Sequence, residues 1–126
     1  MDMTIGKSAE FTVDITEALV ADFSAVSGDL NPLHMDESYA KNTPFGGRVV
    51  HGQLGVSFFS RLIGMHLPGQ YALYLSQTTT FHTPMRIGMK VLVKGTVLQI
   101  SEATRSIVLQ TQIFDSGSNT LLTDGK

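Results

Sequence analysis

The apolar residues change their spacing halfway along the chain, from a helical period in the first half to alternation in the second. A helix is predicted from about Val50 to Met65, and because apolar residues lie on nearly every side of it, it is expected to be buried all round. Alternation predicts strands with one buried face in segments 71–81, 89–97 and 107–113. Helices followed by an antiparallel meander predict an α+β fold in which the sheet curls around the buried helix.

A second, amphipathic helix is predicted near the N-terminus, after a short extended segment at residues 10–13. The sequence DITE at residues 14–17 resembles a capping box, in which Asp14 accepts from an early backbone N–H and Glu17 reaches back. Gly28 can end this helix in a left-handed conformation. Helical spacing assigns five apolar residues to its core-facing side: Ile15, Ala18, Leu19, Phe23 and Val26.

Between these two helices, the sequence predicts two loops separated by one short helix. Pro32 favours extended geometry at Asn31, so residues 29–34 are expected to form a loop. Residues 36–41 are expected to form a short helix, because acidic side chains stand in its first turn. Residues 42–48 are rich in proline and glycine and are expected to form a second loop.

Composition and charge exclude several classes of function. The net charge is -2 without a block of Lys or Arg, whereas a nucleic-acid-binding protein presents a basic surface to the phosphates. Without cysteine the chain has no disulfide, thiolate nucleophile or thiolate-bound zinc. The N-terminus lacks the features of a signal peptide, and polar residues interrupt the apolar stretch 49–67, so a soluble, cytoplasmic protein without a membrane partner is expected. The length of 126 residues predicts one domain, residues 1–126, and the low charged fraction of 16% favours a surface partly covered by a second subunit.

The segment with the clearest chemical content is residues 27–34, with the sequence SGDLNPLH. It places the carboxylate of Asp29 and the imidazole of His34 five residues apart, on a loop that follows a helix. One reaction that such a pair could catalyse is the hydration of a conjugated thioester. This reaction needs a bound water that loses a proton, a proton for the alpha carbon, and stabilisation of the thioester oxygen. A carboxylate and a neutral imidazole can bind one water together and exchange protons with it at neutral pH.

Structural interpretations of the same residues stay open at this point. An Asp after Gly at a helix end is typical of an Asx turn, a single His in a loop is often structural, and Asn31 is expected to brace the loop. Residues 45–52, with the sequence FGGRVVHG, run into the N-terminus of the buried helix. Free backbone N–H groups there can form an oxyanion hole, although glycines in such a segment can also serve to turn the chain.

These two segments, together with LPG at residues 67–69, resemble the MaoC-like dehydratases, specifically the (R)-specific enoyl-CoA hydratases of the hydratase 2 group. The resemblance covers nearly the whole chain. It implies a hot-dog fold, in which an antiparallel sheet wraps a long central helix and two subunits pair as a homodimer. It also implies syn hydration of trans-2-enoyl-CoA to (R)-3-hydroxyacyl-CoA without a metal or organic cofactor, coenzyme A being part of the substrate.

The resemblance also implies roles for individual residues. Asp29 and His34 become the dyad that binds and activates the catalytic water, and the backbone N–H of Gly52 becomes the donor to the thioester oxygen. Asn31 supports the dyad loop. Two further helix residues are placed near the substrate, a polar one at the active site and an apolar one in the acyl pocket: Ser60 and Ile63.

The other three histidines receive no site role. His51 is expected to stabilise the start of the buried helix by a hydrogen bond, and His66 suits the dipole at a helix end. His82, at a strand end, has no assigned role. Because no two histidines stand four residues apart on a helix with a carboxylate partner, no metal site is expected.

The sequence departs from the family pattern at its end. In the family the last strand usually continues beyond the Asp-Gly pair found here at Asp124 and Gly125, whereas this chain ends at Lys126. Either the strand ends early in this protein or its last segment lies beyond Lys126, and both alternatives leave the acyl-chain preference open. Two alternative functions also stay open, because one fold hosts several activities: an acyl-CoA thioesterase and a non-catalytic acyl-CoA-binding subunit. The paired carboxylate and imidazole favour the hydratase over both.

Overall fold

The structure, a computed structural model, describes residues 3–126. Within this range the chain forms four helices and five strands. In chain order they are β1 (Ser8–Asp14), α1 (Glu17–Ser27), α2 (Pro32–Met35), α3 (Glu37–Lys41), α4 (Gly52–Met65), β2 (Thr79–Phe81), β3 (Lys90–Ser101), β4 (Ser106–Asp115) and β5 (Leu121–Gly125).

The five strands form one antiparallel sheet in the order β1-β3-β4-β5-β2. In β3 the side of the strand that carries Val91, Val93 and Val97 is buried, while Lys90 on the other side is exposed. The predicted alternation of β3 and β4 is therefore confirmed. β3 extends beyond its predicted end to Ser101, with an irregularity in its pairing with β4 after Val97.

Helix α4 packs on one face of this sheet, as the α+β prediction requires. Phe59 and Leu62 of the helix are fully buried against strand residues. The approach is close, because a Cβ built on Gly95 of β3 would lie 2.7 Å from Cδ2 of Leu62. The expectation that α4 is buried all round is wrong, since its opposite side is exposed and polar. The exposed side includes Gln53, Ser57, Ser60 and Arg61.

Helix α4 also starts two residues later than predicted, at Gly52. The N–H of Val50 donates instead to Met85 O at 2.8 Å, which holds the preceding segment in an extended conformation against the rest of the core. The helical period of the apolar residues continues through Val50, although the backbone there is not helical. Side-chain spacing alone therefore could not locate the first turn.

Helix α1 begins at a different cap from the one predicted. Thr16, in extended conformation, accepts from the Leu19 N–H at 3.1 Å through its hydroxyl. Asp14 still belongs to β1, where it pairs with Lys90, and so it cannot cap the helix. The predicted C-terminal cap is confirmed, since Gly28 has φ 75° and its N–H donates to Ser24 O at 2.9 Å.

The buried face of α1 also differs from the predicted stripe. Val20 and Ser24 are buried and Leu19 and Phe23 are half-buried, as a face of this helix. The predicted members Ala18 and Val26 are exposed. Ile15 is buried, but it lies before the first residue of α1. A helical period counted from Ile15 therefore predicts the wrong face of α1 to be buried.

The predicted strand at residues 71–81 is largely wrong. Only β2, three residues long, pairs with β5, and Tyr71 has φ 73°, which breaks an extended run. The side chains of Tyr71, Leu73 and Leu75 are 90%, 82% and 76% exposed. No helix within residues 3–126 is long and apolar enough to cross a membrane. The short helix α3 and the loop at residues 42–48 lie as predicted.

Candidate active site

Asp29 lies directly after α1, in a turn that its own side chain stabilises. Its Oδ1 accepts from the Asn31 N–H at 3.1 Å, and its own N–H donates to Ser27 Oγ at 3.1 Å. The second oxygen, Oδ2, lies 3.9 Å from Nε2 of His34, and the Asp29 side chain is 48% exposed. The Asx-turn interpretation and the functional one are thus compatible, because each uses a different oxygen of the carboxylate.

His34 is carried by α2, a single helical turn where the sequence predicted a loop. The predicted bracing by Asn31 takes a specific form here, since its Oδ1 accepts from the Leu33 N–H at 2.9 Å and caps α2. His34 Nδ1 lies 2.7 Å from Val49 O. A carbonyl oxygen can only accept, so Nδ1 carries the proton and, in the neutral ring, Nε2 is left with a free lone pair. That lone pair belongs to the nitrogen nearer Asp29.

The spacing of the pair suits a shared water better than a direct bond. At 3.9 Å, Nε2 and Oδ2 are too far apart for a hydrogen bond between them. Two groups that each contact one water at about 2.8 Å lie roughly 4–5 Å apart when the water bonds in its usual geometry. The observed 3.9 Å is just short of this spacing, and a small outward rotation of the half-exposed Asp29 side chain would admit the water. The His34 side chain is 16% exposed and the Asp29 side chain 48%, so a substrate could approach a water between them from the solvent side of Asp29.

Arg48 ties the His34 turn to the start of α1. Its Nε donates to the backbone oxygen of His34 at 2.6 Å, and its two terminal nitrogens donate to the carboxylate of Glu17, each at 2.9 Å. Such a two-pronged pair fixes orientation as well as distance. Sequence reasoning missed this role, because Glu17 lies 31 residues from Arg48 and only the charge of Arg48 was visible as a signal.

Gly52 is the first residue of α4, where backbone N–H groups lack helical partners. Among residues 3–126, none accepts from the N–H of Gly52 or of Gln53. The ring of Phe81 lies against Gly52, since a Cβ built there would be 2.7 Å from Phe81 Cε1. Glycine is therefore required by the close approach of this ring.

His51 is a site component that sequence reasoning left out. It was expected to stabilise the helix start, but its side chain makes no capping hydrogen bond. Instead its Nε2 lies 2.9 Å from the backbone oxygen of Asp29, and its ring centroid lies 4.1 Å from that of His34. The residue is 2% exposed. The signal that could have found it is its place directly before the predicted oxyanion donor.

Asp29, His34 and His51 each offer an atom within 4.8 Å of the others, which is a spacing that could hold a metal ion. One nitrogen of each histidine is already engaged with a backbone oxygen, namely Val49 O and Asp29 O. With Nε2 of His51 engaged and its Nδ1 fully buried, His34 Nε2 and the Asp29 carboxylate remain open to an ion, which is fewer than the three protein ligands of a catalytic Zn²⁺ centre. The sequence prediction that the site works without a metal stays a prediction.

A cleft of about 310 Å³ runs along the exposed side of α4. Ser60 lines it, and its predicted role near the active site stays a prediction. Ile63 does not, because it packs in a second core cluster with Leu67, Val97 and Leu109. The acyl-pocket role predicted for Ile63 therefore finds no support in this cleft. The cleft is lined by Phe23, Gln53, Val56, Ser57, Ser60, Tyr74 and Gln77.

Two of the residues that line the cleft, Tyr74 and Gln77, are polar and lie outside α4. The Tyr74 hydroxyl donates to the side-chain oxygen of Gln77, and burial raises the pKa of the Tyr74 phenol above its ordinary value. Phe23 connects the cleft to the dyad, since its ring centroid lies 5.0 Å from that of His51. The cleft is therefore connected to His34 by two successive ring contacts, Phe23 with His51 and His51 with His34.

The chain is similar over most of its length to proteins of one known family. The chain matches the family described as MaoC like domain over residues 2–115. It is 37% identical over 115 residues to the (R)-specific enoyl-CoA hydratase of Aeromonas caviae, covering 91% of this chain and 86% of that protein. It is 36% identical over 116 residues to the (R)-specific enoyl-CoA hydratase of Rhodospirillum rubrum, covering 92% of this chain and 81% of that protein.

A solved structure gives the same result at the level of the fold. The (R)-hydratase from A. caviae involved in PHA biosynthesis superposes with a TM-score of 0.93 at 36% identity, covering 98% of this chain and 92% of that one. The predicted hot-dog fold and the predicted enzyme class, a hydro-lyase, are confirmed by these relatives. The chain belongs to the MaoC-like dehydratase family.

Proposed function

We propose that this protein is an (R)-specific enoyl-CoA hydratase, which reversibly adds water to trans-2-enoyl-CoA and forms (R)-3-hydroxyacyl-CoA. The observation that carries the proposal is the position of the Asp29 carboxylate, 3.9 Å from Nε2 of His34, the ring nitrogen that does not contact Val49 O. The His34 ring contacts the ring of His51, the residue directly before the free N–H groups at the start of α4. Two relatives of 36% and 37% identity with the same named activity support it.

In the proposed reaction, a water held between the two side chains attacks C3 of the enoyl thioester. His34 Nε2 accepts the proton that the water loses, while the Asp29 carboxylate accepts the second hydrogen bond of the water and stabilises the imidazolium. The electron pair of the double bond moves towards the thioester oxygen as an enolate. The enolate then takes the proton back from His34 at C2. One H and one OH are added from the face on which the pair lies, which makes the addition syn.

The negative charge of the enolate oxygen needs a donor opposite the dyad. The backbone N–H of Gly52 serves this purpose in the proposal, because it has no acceptor among residues 3–126 and the helix dipole favours an anion there. The acyl chain then extends into the cleft that Ser60 lines, next to His51 and Phe23. Asn31 acts on the dyad through the backbone that it braces.

The experiment follows two signals at once with crotonyl-CoA as substrate: the absorbance of the conjugated thioester and the release of free thiol. Hydration removes the first signal without producing the second, and chiral analysis of the product should give the (R) enantiomer. Asp29→Asn and His34→Gln are each expected to lower kcat by at least about a hundredfold. His66→Gln serves as the control, because His66 is exposed at the far end of α4.

Each other result points elsewhere. Thiol release at the same rate as loss of absorbance identifies a thioesterase, and no change in either signal identifies a binding subunit. A near-normal rate in Asp29→Asn or His34→Gln, with circular dichroism equal to wild type, contradicts the proposed dyad. An (S) product contradicts the proposed face of addition and leaves the hydro-lyase class intact.

We also propose that the protein is a homodimer. Among residues 3–126, no strand pairs with the outer edge of β2, and the segment before it exposes Tyr71, Leu73 and Leu75 almost completely. Apolar side chains beside an unpaired strand edge are typical of a surface that a second chain covers. Light scattering should give a dimer for the wild type and a monomer for Leu73→Asp/Leu75→Asp. A monomeric wild type at micromolar concentration contradicts this part of the proposal.

The proposed reaction needs no metal or organic cofactor, because Asp29, His34 and a backbone donor supply all of its proton transfers and charge stabilisation. Dialysis against EDTA should therefore leave kcat unchanged, and elemental analysis of the active protein should find less than one metal per chain. Loss of activity on dialysis, restored by one added metal, contradicts the proposal. The cytoplasmic location predicted from the sequence stays a prediction.

A further inference from the structure

We infer that His51 is a positioning residue that holds Asp29 and His34 in their working arrangement, an inference that rests on the proposed function of the pair. His51 stands directly before α4 and is 2% exposed. It contacts both members of the pair, one through a hydrogen bond and the other through its ring face. It does not contact the reacting atoms in the proposed reaction.

The contact with Asp29 is a hydrogen bond to the main chain. His51 Nε2 lies 2.9 Å from Asp29 O, and since a carbonyl only accepts, Nε2 carries the proton. Within residues 3–126, the Asp29 carbonyl accepts no other hydrogen bond. The side chain of Asp29 is half-exposed and its turn is held by short local bonds. The bond from His51 is therefore what connects the Asp29 backbone to the buried helix.

The contact with His34 is between the two rings, which are tilted relative to each other. The two ring centroids lie 4.1 Å apart with an interplanar angle of 30°, and the ring of Phe23 lies 5.0 Å from His51. Val49, two residues before His51, accepts from His34 Nδ1. The plane of the His34 ring is thus fixed at its edge by Val49 and at its face by His51, which aims Nε2 towards Asp29.

A polar atom without a partner shows that packing alone is a poor account of His51. With the proton on Nε2, its Nδ1 carries a bare lone pair, and this atom is buried without a hydrogen bond. A buried polar atom that lacks a partner costs free energy, which an apolar side chain of similar shape avoids. The imidazole of His51 therefore donates one hydrogen bond to Asp29 O and leaves its own Nδ1 unpaired. A residue kept in spite of this cost is expected to serve the function of the site.

Two variants separate the donor from the ring. His51→Phe keeps an aromatic face for His34 and loses the donor to Asp29, whereas His51→Gln keeps an N–H donor and loses the ring. With crotonyl-CoA, we expect kcat of His51→Phe to fall about tenfold to a hundredfold, the usual effect of displacing a reacting group by an ångström or less. KM should stay within about twofold, because the substrate contacts are unchanged. His51→Gln should recover at least half of that loss on a logarithmic scale. His66→Phe is the control, at an exposed histidine whose ring also stacks, on Phe11.

A second readout does not depend on catalysis. In a nitrogen-15 histidine spectrum of the wild type, His34 should show protonated Nδ1 and unprotonated Nε2. In His51→Phe these ring signals should shift or broaden, because His34 and Asp29 lose their common support, and in His51→Gln they should return towards wild type. This result upholds the positioning role even where the wild type fails to hydrate crotonyl-CoA, so the two proposals fail separately.

Two results overturn the inference. The first is wild-type kcat, KM and His34 signals in a folded His51→Phe. The second is an equal loss in both variants together with equal loss of thermal stability, which identifies His51 as a packing residue only.

Discussion

Replacing Gly52 by alanine tests whether the first turn of α4 is held in place by the ring of Phe81. The new Cβ would lie 2.7, 3.0 and 3.0 Å from Cε1, Cδ1 and Cζ of that ring. Carbon atoms in contact normally lie about 3.5–4.0 Å apart, so one of the two groups has to move by roughly 0.5–1 Å. Either the ring swings outwards or the N–H of residue 52 is displaced.

Gly52→Ala is expected to lower both the free energy of unfolding and kcat. Phe81 is half-exposed, so its ring can yield, and the loss of stability should lie at the low end of overpacking, about 1 kcal/mol. The higher helix propensity of alanine offsets part of it, by up to about 1 kcal/mol. Complete loss of one oxyanion donor lowers kcat by about 10²–10³, and partial displacement should lower it by about 10–100-fold.

The assay is a double-mutant cycle on kcat for crotonyl-CoA with urea unfolding in parallel. Phe81→Ala removes the ring that the new Cβ meets, so Gly52→Ala/Phe81→Ala should react about as fast as Phe81→Ala alone. The coupling free energy between the two changes should then exceed about 1 kcal/mol, as expected for residues in contact. Gly52→Ala at the wild-type rate, or a double variant as slow as Gly52→Ala, refutes the reasoning.

Three further predictions concern other parts of the site. Arg48→Met should lower the free energy of unfolding by about 1–3 kcal/mol, because the His34 carbonyl loses a charged donor; a change below about 0.5 kcal/mol in urea unfolding contradicts this. Ile63→Ala should lower that free energy by about 1–2 kcal/mol and leave the ratio of kcat/KM for short and long enoyl-CoA substrates unchanged, whereas a changed ratio would return Ile63 to the acyl pocket. The raised pKa of Tyr74 means that the folded state holds this proton more tightly, so stability is lost as the pH rises past about 10; Tyr74→Phe should reduce that loss, with Tyr71→Phe as an exposed control.

The proximity of Asp29 and His34 could be predicted from the sequence because both residues lie in one short segment. Asp29 and His34 are five residues apart, and local turn chemistry at Asn31 is enough to bring them together. For Gly52, the sequence alone predicted only that N–H groups at the start of the helix would be free, and the family resemblance selected the residue. These inferences needed no knowledge of which distant segments meet.

The contacts that support the dyad could not be found in this way. His51 reaches Asp29 across 22 residues, and Arg48 reaches Glu17 across 31. The sequence gives the charge and type of these side chains but not their partners, which the packing of α1 against the start of α4 decides. His51 was therefore interpreted as a cap, the local role open to a polar residue at a helix start.

Residues 71–78 alternate like a strand but do not form one, which shows the limit of an alternating pattern as evidence. Alternation describes which side chains face an apolar environment, and it says nothing about a hydrogen-bonded neighbour for the backbone. In a single chain, Tyr71, Leu73 and Leu75 are exposed and only residues 79–81 pair with β5. Alternating apolar residues that remain exposed in a single chain are expected at a subunit interface. The proposed dimer interface therefore includes these same three residues.

The segment before α4 unites the positions of all the proposed catalytic groups. Within residues 48–52, successive side chains and backbone atoms hold the His34 carbonyl, the His34 ring and the Asp29 carbonyl, and present the Gly52 N–H. Because these residues are contiguous and α4 is anchored in the core, the dyad and the oxyanion donor should move together rather than independently. A change that shifts this segment as a whole should therefore cost less activity than one that removes a single support, such as the bond from His51 to Asp29.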